Sequence, residues 1–258
     1  MIRPWLRAAA TAVQFLTRLP IPGGASAAPE LFARDIGRSL LFFPLVGAAI
    51  GTLAALALYL ADLAWPLALA VLIALALEAR LTGALHEDAL ADLCDGLGGG
   101  RTPEDVLRIL KDSRIGAFGA LGLMLGLALR AGGLMAQPDA AHAALVLIVS
   151  GCIGRLLLLA VMAAVPPVPG RSGLAGSVAP SADWRSVGMA ALLASPILTW
   201  GVVADPRAMA VAFLGCAAFL IWYRTLLQRR IGGSTGDAIG AAGYAGIVLT
   251  TLAFALNR

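Results

Sequence analysis

Apolar residues in this chain come in long unbroken stretches separated by short polar clusters, and that alternation predicts the architecture before any motif is considered. A helix needs roughly 20 apolar residues to cross a bilayer. Seven stretches qualify, at 38–61, 63–80, 115–137, 141–165, 186–204, 207–227 and 238–256. The second is the weakest, because Pro66, Glu78 and Arg80 shorten its apolar part. The expectation is an all-α fold, a polytopic membrane bundle of about seven transmembrane helices, with about six to eight compatible with the pattern. The connections are too short for a second folded unit and no internal repeat stands out, so 1–258 reads as one integral membrane domain. No pair of broken helices is expected.

The first 20 residues follow a different rule. At helical spacing Arg3, Arg7, Gln14 and Arg18 share one narrow face while Trp5, Ala9, Val13 and Leu16 share the other, which predicts an amphipathic helix lying in the membrane surface over 1–20. A secretory signal is the competing reading, with Arg3 and Arg7 as its basic start and Ala25-Ser26-Ala27 as a cleavage-like site. Gln14 and Arg18 interrupt its apolar run, so the interfacial helix is preferred.

Composition agrees, with 60% hydrophobic and 13% charged residues. Charge then sets an orientation. With the N-terminus in the cytoplasm, Arg3, Arg7, Arg18, Arg34, Arg38, Arg80, Arg101, Arg108, Lys111, Arg114, Arg171, Arg185, Arg224, Arg229 and Arg230 fall inside. Only Arg207 and Arg258 fall outside, and Arg130 and Arg155 stay within spans, where they are expected to snorkel or to bond neighbouring helices. The bias of 15 to 2 selects this topology in a bacterial inner membrane. The net charge of +4 then reflects anchoring to anionic lipid. No basic patch with interleaved aromatics is present, so no nucleic-acid partner is expected. Cys94, Cys152 and Cys216 are scattered, without the spacing of a zinc, haem or disulfide framework.

Candidate chemistry concentrates in 82–114, which this topology makes cytoplasmic. If His86 to Gly100 is helical, Asp88, Asp92 and Asp95 fall at i, i+4 and i+7, within an arc of roughly 60°. Three like charges there call for a hard divalent cation that takes oxygen ligands and leaves positions open for phosphate. The alternative is a solvated charge cluster facing lipid headgroups. On the opposite side His86, Leu90, Leu93 and Leu97 form an apolar stripe, so His86 is a catalytic candidate or a hydrogen-bonded packing residue and not a metal ligand. Glu87 projects to the flank. Cys94 turns away from the aspartates.

Two further polar clusters belong to the same side. After the glycines, Thr102 as N-cap and Pro103 at the first position open a short surface helix with Glu104 and Asp105 in its first turn. It ends at Lys111-Asp112-Ser113-Arg114, where two cations suit either phosphate binding or membrane-surface anchoring. The segment Arg229-Arg230-Ile231-Gly232-Gly233-Ser234-Thr235-Gly236-Asp237 joins basic residues, hydroxyls, a carboxylate and a flexible backbone just before a helix start. It is not a Walker A loop. Carboxylates for a metal, cations for phosphates and glycine-rich backbone near both are the equipment of phosphoryl or nucleotidyl transfer.

A family resemblance runs through the same positions. Phe15-Leu16-Thr17-Arg18-Leu19-Pro20-Ile21-Pro22, Phe43-Pro44-Leu45-Val46-Gly47, the block from Thr82 through Gly99, Lys111-Asp112-Ser113-Arg114-Ile115-Gly116, and Gly232-Gly233 followed by Thr235-Gly236-Asp237 resemble, in order, the signatures of the adenosylcobinamide-GDP ribazoletransferase family, also called cobalamin 5'-phosphate synthases. The resemblance implies a magnesium-dependent integral membrane enzyme of vitamin B12 biosynthesis, joining adenosylcobinamide-GDP to alpha-ribazole or its 5'-phosphate with release of GMP. It implies Mg2+ on Asp88, Asp92 and Asp95. Asp92, Asp95, Asp112, Lys111, Arg114 and His86 become catalytic candidates, and Gly232, Gly233, Thr235, Asp237 and Arg171 become substrate-phosphate binders, with Asp112 or Asp237 orienting the attacking hydroxyl or adding a metal ligand. Its partners would be the two substrates and the lipid bilayer, with a homo-oligomer or association with other corrinoid-pathway enzymes left open. This chain departs from the family pattern at Ala89, often Gly, and in Val168-Pro169-Gly170-Arg171-Ser172-Gly173-Leu174-Ala175-Gly176, which lacks the family's acid.

Two other readings compete. Asp92-Leu93-Cys94-Asp95-Gly96 resembles the opening of the CDP-alcohol phosphotransferase motif, whose second half is absent. Arg130 and Arg155 within spans raise a transporter, against which the main carboxylates sit at the surface and not at the midplane.

Overall fold

The computed structural model describes residues 3–21, 36–170 and 182–256. All the elements named along the chain are helices. They are α1 (Arg3–Leu16), α2 (Phe43–Asp62, entered through a 3₁₀ turn at Leu40–Phe42), α3 (Leu67–Thr82), α4 (Leu85–Gly99), α5 (Pro103–Ile109), α6 (Ala117–Met135), α7 (Ala140–Ala164), α8 (Trp184–Leu193), α9 (Ser195–Ala204), α10 (Pro206–Ile231) and α11 (Gly236–Phe254). The segments Ile36–Asp62, Ala117–Met135, Ala140–Ala164, Pro206–Ile231 and Gly236–Phe254 are long and apolar enough to cross a membrane singly. Two further crossings are available if bent pairs are admitted, α3 with α4 at 87° and α8 with α9 at 64°. The expected bundle is therefore present, but the expectation of no broken helices is corrected. Ser195-Pro196 restarts the helix after Ala194 in one pair, and the left-handed Gly83 and Ala84 turn the chain in the other.

Packing centres on α7, most of whose residues are buried. Association of helices in lipid rests on close van der Waals approach of small residues, because lipid tails are as apolar as leucine. Here a Cβ on Gly47 of α2 would collide with the carbonyl oxygen of Gly151, and one on Gly154 would lie 2.6 Å from Ile247 of α11. These helices meet backbone to backbone at both points.

The N-terminal helix forms as expected with its buried face rotated. Ala8, Thr11, Ala12 and Leu16 turn inward, whereas Trp5 and Leu6 are exposed. The aromatic start of α2 explains the offset: Phe15 stacks on Phe43 at 5.4 Å and Trp5 meets Phe42 edge-on, so small alanines face the bundle and the large side chains face outward.

At one end α6 and α11 begin and α7 and α10 finish, whereas α3 stops inside the bundle, with Glu78 paired to Arg130 well along α6; the other end is closed by the short turns around 63–66, 136–139 and Asp205. From inside the bundle α4 runs out to the first end between α6 and α11, its Asp95 meeting the start of α6. Cβ atoms built on Gly126 and Gly122 would touch Leu90 and Cys94, and those on Gly243 and Gly240 would touch His86 and Ala89. The acidic helix is thus wedged antiparallel between two spans.

Candidate active site

The three aspartates of α4 share a face, as the spacing predicts, but meet three different environments. Asp88 is exposed, Asp92 half-buried and Asp95 buried. Asp95 accepts hydrogen bonds from the amides of Gly116 at 2.6 Å and Gly119 at 2.7 Å. Those amides are unpaired donors at the start of α6, where a carboxylate also complements the helix dipole. Both glycines lack a side chain where one would strike this carboxylate. Asp95 is therefore an anchor for α6, each of its oxygens accepting from an amide. Among the described residues no group of three His, Cys, Asp or Glu side chains is gathered as a metal site.

A different carboxylate approaches Asp92. Gly240 of α11 lies against Ala89 and Gly243 against His86, so the two helices run antiparallel with this register. One turn toward the helix start from Gly240 is Asp237, and one turn onward from Ala89 is Asp92. The two therefore face each other across the helix pair. Partial burial, then the charges of Asp88, Asp237 and Asp95, push the Asp92 carboxyl up to about 6. Asp88 and Asp92 make no ion pair among the described residues. Carboxylate oxygens are the donor type that a hard divalent cation takes, and Asp88, Asp237 and Asp95 all act electrostatically on Asp92.

The expected cations are near the same end. Arg114 is exposed and forks onto Asp112, with Nε donating to Oδ1 at 2.9 Å and Nη2 to Oδ2 at 2.7 Å. That guanidinium holds the Asp112 carboxyl down at about 2. Asp112 is thus an ion-pair partner that also accepts from the Arg114 amide, and it is a poor proton acceptor. Lys111 is exposed beside it. The short helix α5 begins as read, with Thr102 Oγ1 accepting from the Asp105 amide at 3.2 Å.

The glycine-rich turn before α11 is more occupied than its composition suggests. Gly232 ends α10 in the left-handed region at φ 75°. The Ser234 amide donates to the Pro166 carbonyl at 2.8 Å, the Ser234 hydroxyl to the Val165 carbonyl, and the Val168 amide returns to the Ser234 carbonyl. A Cβ on Gly233 would lie 2.7 Å from the Pro166 oxygen, so this glycine serves a close backbone approach. Thr235 caps α11 by accepting from the Ala238 amide. This turn thus joins α10 and α11 to the end of α7. Arg171 lies outside the described residues.

Two contributions escaped the sequence reading. Arg230 Nη2 donates to the carbonyls of Leu97 at 2.8 Å and Gly100 at 2.9 Å, tying the end of the acidic helix to α10. Its signal is a basic residue near a helix whose glycine-rich end leaves carbonyls unpaired. The other is interior. His86, Glu87, Glu78, Arg130 and Arg155 are all buried; Arg130 pairs with Glu78 at 2.7 Å, and Arg155 Nη1 reaches the Gly151 carbonyl at 3.4 Å. Neither arginine snorkels. His86 Nε2 has no hydrogen-bond partner.

Residues 8–255 match the family model described as cobalamin-5-phosphate synthase. The chain belongs to the cobalamin-5-phosphate synthase family. Family relatives named adenosylcobinamide-GDP ribazoletransferase include those of Leptothrix cholodnii, 39% identical over 241 residues covering 90% of this chain and 88% of the relative, and Bradyrhizobium diazoefficiens, 37% identical over 251 residues covering 96% and 94%. That of Ralstonia nicotianae is 38% identical over 236 residues, covering 90% and 88%. No solved structure matches the chain.

Proposed function

We propose that this membrane protein is an adenosylcobinamide-GDP ribazoletransferase that joins adenosylcobinamide-GDP to alpha-ribazole or its 5'-phosphate and releases GMP. The observation that carries the reading is the match of nearly the whole chain to the family, together with relatives of that name aligned over most of their own length. The geometry is compatible with it. A ribose hydroxyl of the ribazole attacks the phosphorus that bears the cobinamide arm, the P–O bond of the anhydride breaks, and GMP departs with the electron pair. Phosphoryl transfer of this kind is achieved by positioning and by neutralising oxygens on phosphorus.

In this reading Asp88, Asp92 and Asp237 hold Mg2+, which when bound supplies positive charge to the pyrophosphate oxygens. Lys111 and Arg114 face solvent at the same end and bind the leaving phosphate, Arg114 exchanging its exposed partner Asp112 for substrate. Asp95 and Arg230 keep the acidic helix in place. The site opens to the cytoplasm from a bacterial inner membrane, in keeping with the excess of basic residues on that side.

Purified full-length protein in liposomes, given adenosylcobinamide-GDP, alpha-ribazole phosphate and Mg2+, is expected to yield GMP and the nucleotide-loop corrinoid in equal amounts by chromatography. Chelation is expected to stop both. GMP release without ribazole incorporation would contradict the transfer, and full activity in thorough chelator would contradict the metal.

A further inference from the structure

The buried charges beside the acidic helix are not needed for the chemistry just described, and burying them is costly. Glu78, Glu87 and Arg130 are 3%, 8% and 1% exposed, with His86 and Arg155 buried beside them. Replacing such a set by well-packed apolar side chains is often neutral or stabilising, so stability is a weak account of it, and ionisable groups inside membrane bundles mark function by default. Their placement along the chain is specific. Glu78 stands on α3 just before the break, Glu87 on α4 just after it, and Arg130 on α6 faces both. One guanidinium nitrogen donates to Glu78 Oε2 at 2.7 Å while the other lies 4.0 Å from Glu87 Oε1. Its carbon sits 6.0 Å from the centre of the Tyr244 ring on α11. A single planar fork therefore spans both arms of the bent pair and rests on the helix that carries Asp237.

The break itself needs holding. Besides Gly83, the turn uses Ala84 at φ 57°, a left-handed conformation unfavourable for an L-residue. Such a conformation persists only where surrounding structure enforces it. We propose that Arg130, seated on Glu78, is a positioning residue that fixes the angle between α3 and α4 through Glu87, and so sets where Asp88 and Asp92 stand relative to Asp237. Its consequence for metal binding rests on the function proposed above; the brace itself does not.

The test reads geometry directly. Full-length chain in nanodiscs carries nitroxides at the exposed positions Leu72 of α3 and Gly99 of α4, in a background lacking Cys94, Cys152 and Cys216. Pulsed electron resonance is expected to give one narrow distance distribution. Glu87→Gln, which leaves the Arg130–Glu78 pair in place, is expected to broaden it at unchanged yield, and to weaken Mn2+ binding about tenfold, the order seen when an outer partner of a metal site is lost. Arg130→Lys keeps the charge without the fork and is expected to broaden it too. A distribution as narrow in Glu87→Gln as in the parent overturns the brace, whether or not Arg130→Lys accumulates. Broadening with unchanged Mn2+ affinity overturns its link to the aspartates. Since no substrate is involved, broadening in a protein without transferase activity upholds the brace while sinking the reaction.

Discussion

At the scale of single residues, Asp92 and Asp95 look equivalent in the sequence and part company in the fold. Spacing places both on one face, and that much was legible. What spacing does not contain is the neighbour each one meets: the amides of Gly116 and Gly119 for Asp95, and Asp237 from a helix more than a hundred residues away for Asp92. The two should fail differently. Asp92→Asn keeps the shape but removes a charge from the metal face, and a loss of about a hundredfold or more in turnover is expected, the size of one strong electrostatic contact in the transition state. Asp95→Asn keeps one acceptor for two amides and loses the charge facing the helix start. Its expected effect is a stability loss of about 1–3 kcal/mol, measured as a lower thermal midpoint in detergent, with Mn2+ affinity within about threefold of the parent. Asp105→Asn on α5 serves as the silent control, because its exposed side chain pairs with exposed Arg108, and the bond to the Thr102 cap comes from its backbone amide, which the substitution keeps. A larger loss of metal binding in Asp95→Asn than in Asp92→Asn would return Asp95 to the ligand set.

At the scale of helices, the spans were readable to within a few residues because hydrocarbon thickness sets their length, and the short helix after the glycines was readable from its Thr-Pro start. The bends were not. Gly83-Ala84 reads as an ordinary end of one segment and start of another, since a left-handed alanine has no sequence signal and the angle is fixed by distant groups. The same is true of the far end of α4, where Gly98-Gly99-Gly100 reads as a loose tail and is instead tied by Arg230. Removing that tie leaves two carbonyls without their donor. Arg230→Ala is expected to cost about 1.5–3 kcal/mol of local stability, the range for hydrogen bonds to a charged group. The readout is local: trypsin should cut after Arg101 faster than in the parent, with turnover reduced and expression unchanged. Lysine at 230 keeps a charged donor nitrogen but on a shorter stem that holds it less rigidly than the guanidinium does, so Arg230→Lys should fall between the two. Equal cleavage rates in Arg230→Ala and the parent would show that the glycines hold their course unaided.

At the scale of the whole molecule, the fold collects its polar chemistry at one end and closes the other with short turns. The acidic helix, the Lys111–Arg114 segment and the turn before α11 all lie where α6 and α11 begin, and so do most of the basic residues. The proposed function and the proposed orientation call for the same polar face, one for a site that handles phosphates and the other for positive charges that membrane insertion keeps in the cytoplasm. An orientation opposite to the proposed one would place this end, with Arg101, Arg108, Lys111, Arg114, Arg229 and Arg230, across the membrane. Single cysteines decide between them. In a background without the native three, cysteines at exposed Gly99 and Gln228 mark the polar end, and cysteines at exposed Leu63 and Ala141 mark the other. A membrane-impermeant maleimide added to intact cells is expected to label the second pair and spare the first until the membrane is permeabilised. Positions near Ser234 are unsuitable, since that residue is 2% exposed and hydrogen-bonded to Val165. Labelling of Gly99→Cys from outside, with Ala141→Cys protected, would invert the protein and place its aspartates where cytoplasmic nucleotides do not reach them.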